Sequence, residues 1–117
     1  MTITELANDF THLLKQNDHK GAAEKYNADN IVSYEAMEGP MAVCEGRQAV
    51  KQKSDWWTEN HDVHSGSVEG PYVNGDQFAL RFTMDVTPKA TGERIKMDEV
   101  GVYTVKDGKI VEERFYY

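Results

Sequence analysis

The sequence predicts an α+β domain in which helices pack on one face of a curved, mainly antiparallel sheet. Two observations carry that expectation. Helical spacing of apolar residues is confined to the first 60 or so positions, and period-two alternation takes over from His61 onward. The late strands are separated by short turn signals, Asn74-Gly75 and Asp107-Gly108, which favour antiparallel hairpins.

Each element has its own signal. Thr2 and Glu5 have capping-box spacing, and Leu6, Phe10, Leu13 and Leu14 follow as one apolar stripe, so a first helix runs to about Lys15. Asn17-Asp18 breaks and recaps the chain, and a shorter helix reaches about Tyr26. Asn27 to Asn30 has turn composition, and Ile31 to Glu35 reads as a short strand. The stretch from Ala36 to Gly46, with Gly39-Pro40 inside it, is a loop with room for another short strand. Arg47 to about Asn60 forms a third helix, with Val50, Ser54 and Trp57 on one face and Ala49, Lys53 and Trp56 beside it. Phe78, Leu80, Phe82, Met84 and Val86 then alternate with Ala79, Arg81, Thr83 and Asp85, which is a half-buried strand. Further strands cover Ile95 to Val105 and Ile110 to Tyr117. In the first of these the apolar phase slips, from Ile95 and Met97 to Val100 and Val102, with Asp98 and Glu99 between. A β-bulge or a strand covered on both faces would each explain the slip.

Composition narrows the function classes. The chain has 117 residues, enough for one domain that buries roughly two-thirds of its unfolded surface. Its net charge of -7, with basic residues scattered, disfavours nucleic acid and anionic membranes as partners. Cys44 is the only cysteine, the N-terminus lacks an apolar signal region, and no segment approaches the ~20 apolar residues of a membrane span. A single cytoplasmic domain is the expectation.

The order helix, helix, Tyr26 to Glu35, then Glu45-Gly-Arg-Gln-Ala-Val50, a third helix and the closing Lys106-Asp-Gly-Lys-Ile-Val-Glu-Glu-Arg-Phe115 resembles the SnoaL-like branch of the NTF2-like superfamily. The resemblance covers essentially the whole chain. It implies a cone-shaped fold, three N-terminal helices on a strongly curved sheet, with a mostly apolar pocket for a small molecule. Relatives include cofactor-free isomerases, cyclases and dehydratases alongside non-catalytic binders, and members often dimerise through the outer sheet face. Matching from Ala28 places Glu35 where ketosteroid isomerases carry their base. Phe10 falls at the position of their oxyanion tyrosine, and an ungapped count back from Gly108 puts Val100 at that of their oxyanion aspartate. Glu113 and Phe115 fall where polyketide cyclases have an acid/base pair.

Candidate residues follow. Glu35 is the first candidate for a general base, against the plainer role of a strand-end carboxylate paired with Arg47. Glu113 shares strand parity with Phe115 and Tyr117, and a carboxylate among such residues is open to desolvation. Asp98 and Glu99 point to opposite faces unless a bulge intervenes. The expected pocket lining is Phe10, Tyr26, Trp57, Phe82, Glu99, Phe115 and Tyr117. His61 and His64 lack a third ligand nearby, so neither a metal nor any other cofactor is expected. The ligand class is a small apolar or carbonyl-containing molecule, and the assembly a homodimer.

Overall fold

The computed structural model describes all residues from Met1 to Tyr117. Helix α1 (Ile3–Lys15) begins at the reciprocal cap: the Glu5 amide donates to Thr2 Oγ1 at 3.1 Å, and the Thr2 amide to Glu5 Oε1 at 2.9 Å. Its buried stripe is Leu6, Ala7, Phe10, Thr11 and Leu14. The one hydroxyl in that stripe donates to the Ala7 carbonyl at 2.7 Å, so no polar group is stranded. Asp18 caps α2 (His19–Tyr26) by accepting from the Gly21 amide.

Strand β1 (Asn27–Tyr34) starts directly at the end of α2, four residues earlier than its turn-like composition suggests. Pairing overrides the local preference here. β1 runs parallel to the closing strand, from Asn27 opposite Ile110 to Tyr34 opposite Arg114, with a register irregularity between Asn27 and Val32. Strand β2 (Val43–Glu45) is the short strand inside the expected loop and pairs antiparallel with β1. Helix α3 (Arg47–Asn60) buries Val50 and half-buries Ala49, Lys53 and Trp57. Ser54, expected on the inner face, is exposed, and Lys53 takes the inward position.

The remaining strands are β3 (His61–Asn74), β4 (Gln77–Pro88), β5 (Ile95–Lys106) and β6 (Lys109–Tyr116). They complete a six-stranded sheet of order β2-β1-β6-β5-β4-β3, antiparallel except for β1 with β6. The β3–β4 and β5–β6 hairpins turn through left-handed residues, Gly75 at φ 62° and Asp107 and Gly108 at φ 52° and 74°. The β4–β5 register is unbroken from Gln77 opposite Thr104 to Val86 opposite Ile95. There is no bulge at Asp98 and Glu99. Ile95, Met97, Glu99, Gly101 and Tyr103 lie on one face, and the apolar Val100 and Val102 lie on the other.

The core sits between α1 and the inner face of β4 and β5. Phe78 stacks on Tyr103 with ring centroids 4.9 Å apart, and Phe10 from α1 meets both, at 5.8 Å and 5.1 Å. Leu80 and Val86 extend this layer with no exposed surface. No helix is long and apolar enough to cross a membrane. Leu80→Ala is expected to lower unfolding free energy by about 2–5 kcal/mol in urea titration. Val63→Ala, at a half-exposed edge position, should change it by under about 0.5 kcal/mol. Equal losses at both positions would contradict this placement of the core.

Candidate functional site

Strand registers bring chemistry to one end of the inner face. Ser33 of β1 lies beside Glu113 of β6, and Glu113 lies opposite Tyr103 of β5. One row further along, Phe115 faces Gly101, and beyond it Glu99 faces Phe82 of β4. Lys53 reaches down from α3 onto this surface. Its Nζ donates to Glu35 Oε1 at 3.1 Å and to Ser33 Oγ, and it stands 5.3 Å from the Phe115 ring centroid. Tyr117 Oη donates to the other Glu35 oxygen at 3.3 Å. The Lys53 side chain is 11% exposed and that of Glu35 26%, so the pair sits at a mouth rather than in a sealed interior.

The electrostatics follow from this crowding of carboxyls. Burial pushes Glu99 up to about 7, repulsion by Glu35 adds to the effect, and Lys53 opposes it. Burial also raises Glu113, against a hydrogen bond from Ser33 and the attraction of Lys53. The Tyr103 phenol is held well above its ordinary value, first by burial and then by Glu113, Glu99 and Glu35. It is therefore a neutral O–H donor. The hydrogen bonds formed by Lys53 and Tyr117 go to Ser33 and Glu35 and not to that hydroxyl. Gly101 makes room for it. A Cβ there would lie 3.1 Å from Tyr103 Oη and 3.2 Å from Phe115 Cε1.

Of the residues expected from sequence, Glu35, Glu99, Glu113, Phe115 and Tyr117 come together here. Phe10 and Tyr26 do not. Phe10 belongs to the aromatic core, and the Tyr26 hydroxyl donates to Asp9, which also pairs with Lys25 at 2.7 Å. Phe82 is nearly buried beneath the Glu99 position, while Trp57 stacks on His61 at 4.3 Å at the far end of α3. Arg47 is not the partner of Glu35. It reaches Asp29 at 3.7 Å and the Glu24 carbonyl. Asp98 is on the outer face in a bidentate pair with Arg81. Val100, placed by ungapped counting at a catalytic position, also faces outward, and the inward carboxyl is its neighbour Glu99.

His61 and His64 bind different partners, the Trp57 carbonyl and Thr87 Oγ1, each at 2.7 Å. No three His, Cys, Asp or Glu side chains are arranged to hold a metal ion. Two open surface depressions lie elsewhere. One is lined by Glu24, Arg47, Gln48, Lys51 and Gln52, and the other surrounds Gly66, Met84 and Met97. Neither is framed by Phe82, Trp57, Phe115 or Tyr117.

Sequence reasoning missed Ser33, Lys53, Gly101 and Tyr103. A signal existed for two of them. Lys53 lies four residues after Ala49 and four before Trp57, and Tyr103 shares parity with Glu99.

The raised Glu99 fixes the sign of a pH effect. Between its ordinary value and about 7 the folded chain binds the extra proton, so stability falls as pH rises through that window and stays lowered above it. Glu99→Gln should therefore stabilise the protein at pH ~8, by on the order of 1–2 kcal/mol once solvent screening is allowed for. It should have little effect at pH ~4, below both values. Denaturant titrations at several pH values check this; a loss of stability at the alkaline end would contradict it.

Comparison with known proteins agrees with this architecture. The family model described as a SnoaL-like domain matches residues 1–117. A crystal structure from Mesorhizobium loti, described as a candidate SnoaL-like polyketide cyclase and also as a carbohydrate phosphatase, is 78% identical and covers 100% of both chains at a TM-score of 0.99. A protein of ketosteroid isomerase-like fold from Catenulispora acidiphila, solved in complex with trimethylamine, has a TM-score of 0.74 at 14% identity, covering 99% of this chain and 87% of its own. An NTF2-like protein from Burkholderia xenovorans has a TM-score of 0.72 at 21% identity, covering 97% and 86%. These last two are similar in fold alone. Among curated proteins nothing matches. With a family model matching from end to end and a 78% identical relative of the same fold, the chain belongs to the SnoaL-like domain family.

Proposed function

We propose that the protein is a cofactor-independent acid/base catalyst of the isomerase, cyclase or dehydratase kind, acting on a small, carbonyl-containing molecule. The observation that carries this reading is the convergence of Glu35, Glu99 and Glu113 around Lys53, beside the neutral Tyr103 hydroxyl. Abstraction of a proton next to a carbonyl needs a carboxylate base and a donor for the oxygen that gains charge. Glu35 is the ion-paired carboxylate at the mouth and serves as the base. Glu99, pushed up to about 7, can deliver its own proton to the substrate near neutral pH, and the proton taken by Glu35 passes back to it through water at the open mouth. Tyr103 offers its hydroxyl to the substrate oxygen. The carbohydrate phosphatase description of the Mesorhizobium loti relative fits this chain less well. The only ammonium at the cluster is already paired with Glu35, so no free cation is left to answer the charge of a phosphate ester.

The alternative is a non-catalytic binder of a small apolar molecule, consistent with the half-exposed aromatic rim of Phe115 and Tyr117. Proton NMR in D2O separates the two. A panel of enolisable ketones and β-keto esters is incubated with the protein, and exchange of the α-protons is followed. Exchange above the buffer rate is expected with the unmodified protein, reduced by roughly 10²–10⁴-fold in Glu35→Gln. Binding without exchange, or exchange untouched by the substitution, would leave the binder reading in place.

We also propose pairing of two copies through the outer face of β5 and β6, where Val100 and Tyr116 lie in register and are 36% and 52% exposed. Sedimentation at micromolar concentration should give twice the chain mass. Tyr116→Lys should shift the protein to monomer; a monomer before substitution would remove the proposal.

A further inference from the structure

Every cation except Lys53 stands outside the glutamate cluster. Arg81 and Arg94 are engaged with Asp98 and Asp85, and Arg114 lies over the Tyr34 ring. Lys53 is the most enclosed cation of any ion pair in the chain, and nothing on its own helix holds it: its hydrogen bonds go to Glu35 and Ser33 of β1. The groups facing it are Ser33 from β1 and Glu35 just beyond it, Glu113 and Phe115 from β6, and Glu99 from β5, with Tyr117 just beyond β6 closing on Glu35. One ammonium thus confronts three carboxyls but is within hydrogen-bond reach of only one of them.

We infer that Lys53 is a positioning residue, dividing the three glutamates into one directly ion-paired carboxylate, Glu35, and two enclosed carboxyls without a contact cation, Glu99 and Glu113. The division is geometric. Glu35 takes the direct contact at 3.1 Å and a second hydrogen bond from Tyr117, so its charge is answered on both oxygens. Glu99 and Glu113 feel the ammonium only at longer range, while each also feels the charge on Glu35. An enclosed carboxyl without a contact cation is driven towards its protonated form, first by burial and then by the charge on Glu35. Acid and base are thereby assigned by the reach of one lysine side chain. This rests on the acid/base reading of the site and deepens it, but the assignment is about protonation and can be tested without any substrate.

The test is a pH titration of side-chain carboxyl 13C shifts in glutamate-labelled protein, with the Glu99 resonance identified by its disappearance in Glu99→Gln. In the unmodified protein Glu99 should titrate near pH 7. Lys53→Met removes the attraction, and the Glu99 and Glu113 midpoints should both rise, by on the order of one unit for a charge a few ångströms beyond contact. Lys53→Arg should bring them back towards their original positions. Glu35→Gln removes the repulsion and frees Lys53, so the same midpoints should fall. These opposite signs are what a merely structural lysine would not produce. If Lys53→Met does not fold, the Glu35→Gln arm decides alone. Glu99 and Glu113 midpoints that stay in place or rise in Glu35→Gln overturn the inference, as do midpoints that are unchanged or lowered in a folded Lys53→Met. Absence of turnover in the D2O assay would retire the catalytic reading while leaving these titrations to be judged separately.

Discussion

Ten consecutive residue pairs hold β4 against β5 without a break, and the character of the inner face depends on that register. Side chains on a strand alternate between faces, so a slip of one residue exchanges the two sets completely. In the observed register Glu99, Gly101 and Tyr103 face α1 and α3, while Asp98 and Val100 face away. A slip would turn Asp98 inward, separate it from Arg81, and bury Val100 where a carboxyl now stands. Tyr103 leaves no room for that alternative, because the same slip would turn its ring out of the stack with Phe78 and Phe10 and into water. The apolar core thus fixes the position of the polar site. Packing on one half of β4 determines protonation chemistry on the far half of β5.

That arrangement places the site against the preferences of folding. Carboxyls are gathered under a helix with one ammonium among them, and burial disfavours the charged form of each. The fold accommodates this by leaving the cluster at an open rim, where water reaches Glu35 and Tyr117, rather than sealing it beneath the Phe10, Phe78 and Tyr103 rings. Tyr103 belongs to both regions. Its ring is part of the core stack and its hydroxyl lies towards the glutamates, over Gly101, which has no space for a side chain.

Much of the fold was legible because its signals are local. The cap at Thr2, the turns at Asn74-Gly75 and Asp107-Gly108, and the alternation of β4 each state their structure within a few residues. The early start of β1 was not legible, since Asn27 to Asn30 is extended by pairing with a strand more than eighty residues away. The site divides the same way. Glu35, Glu113, Phe115 and Tyr117 could be placed from parity and resemblance. Lys53 was harder to read: its spacing matches Ala49 and Trp57, but a lysine on an amphipathic helix ordinarily lies on the solvated side, and only the carboxyls beneath α3 give it a reason to turn in. Phe10 and Tyr26 were misassigned to the pocket because helical phase shows that a side chain is inward, not which inward region it reaches. Val100 shows the limit of counting along a strand from a distant turn: the irregularity between Thr104 and Val105 lies between the turn and the position counted to.

The parallel pairing of β1 with β6 has a temporal consequence. Every other neighbour in the sheet is joined by a hairpin or lies close in sequence, but the residues of this pair are about eighty positions apart. Contacts so distant in sequence form slowly, after the loops they close have lost their freedom. Ser33 and Glu35 meet Glu113 only across that seam. While the polypeptide is being synthesised, the helices and the middle hairpin can collapse early, yet the glutamates remain apart until the last strand emerges and docks. In such a chain the glutamate cluster comes together only in the last docking step.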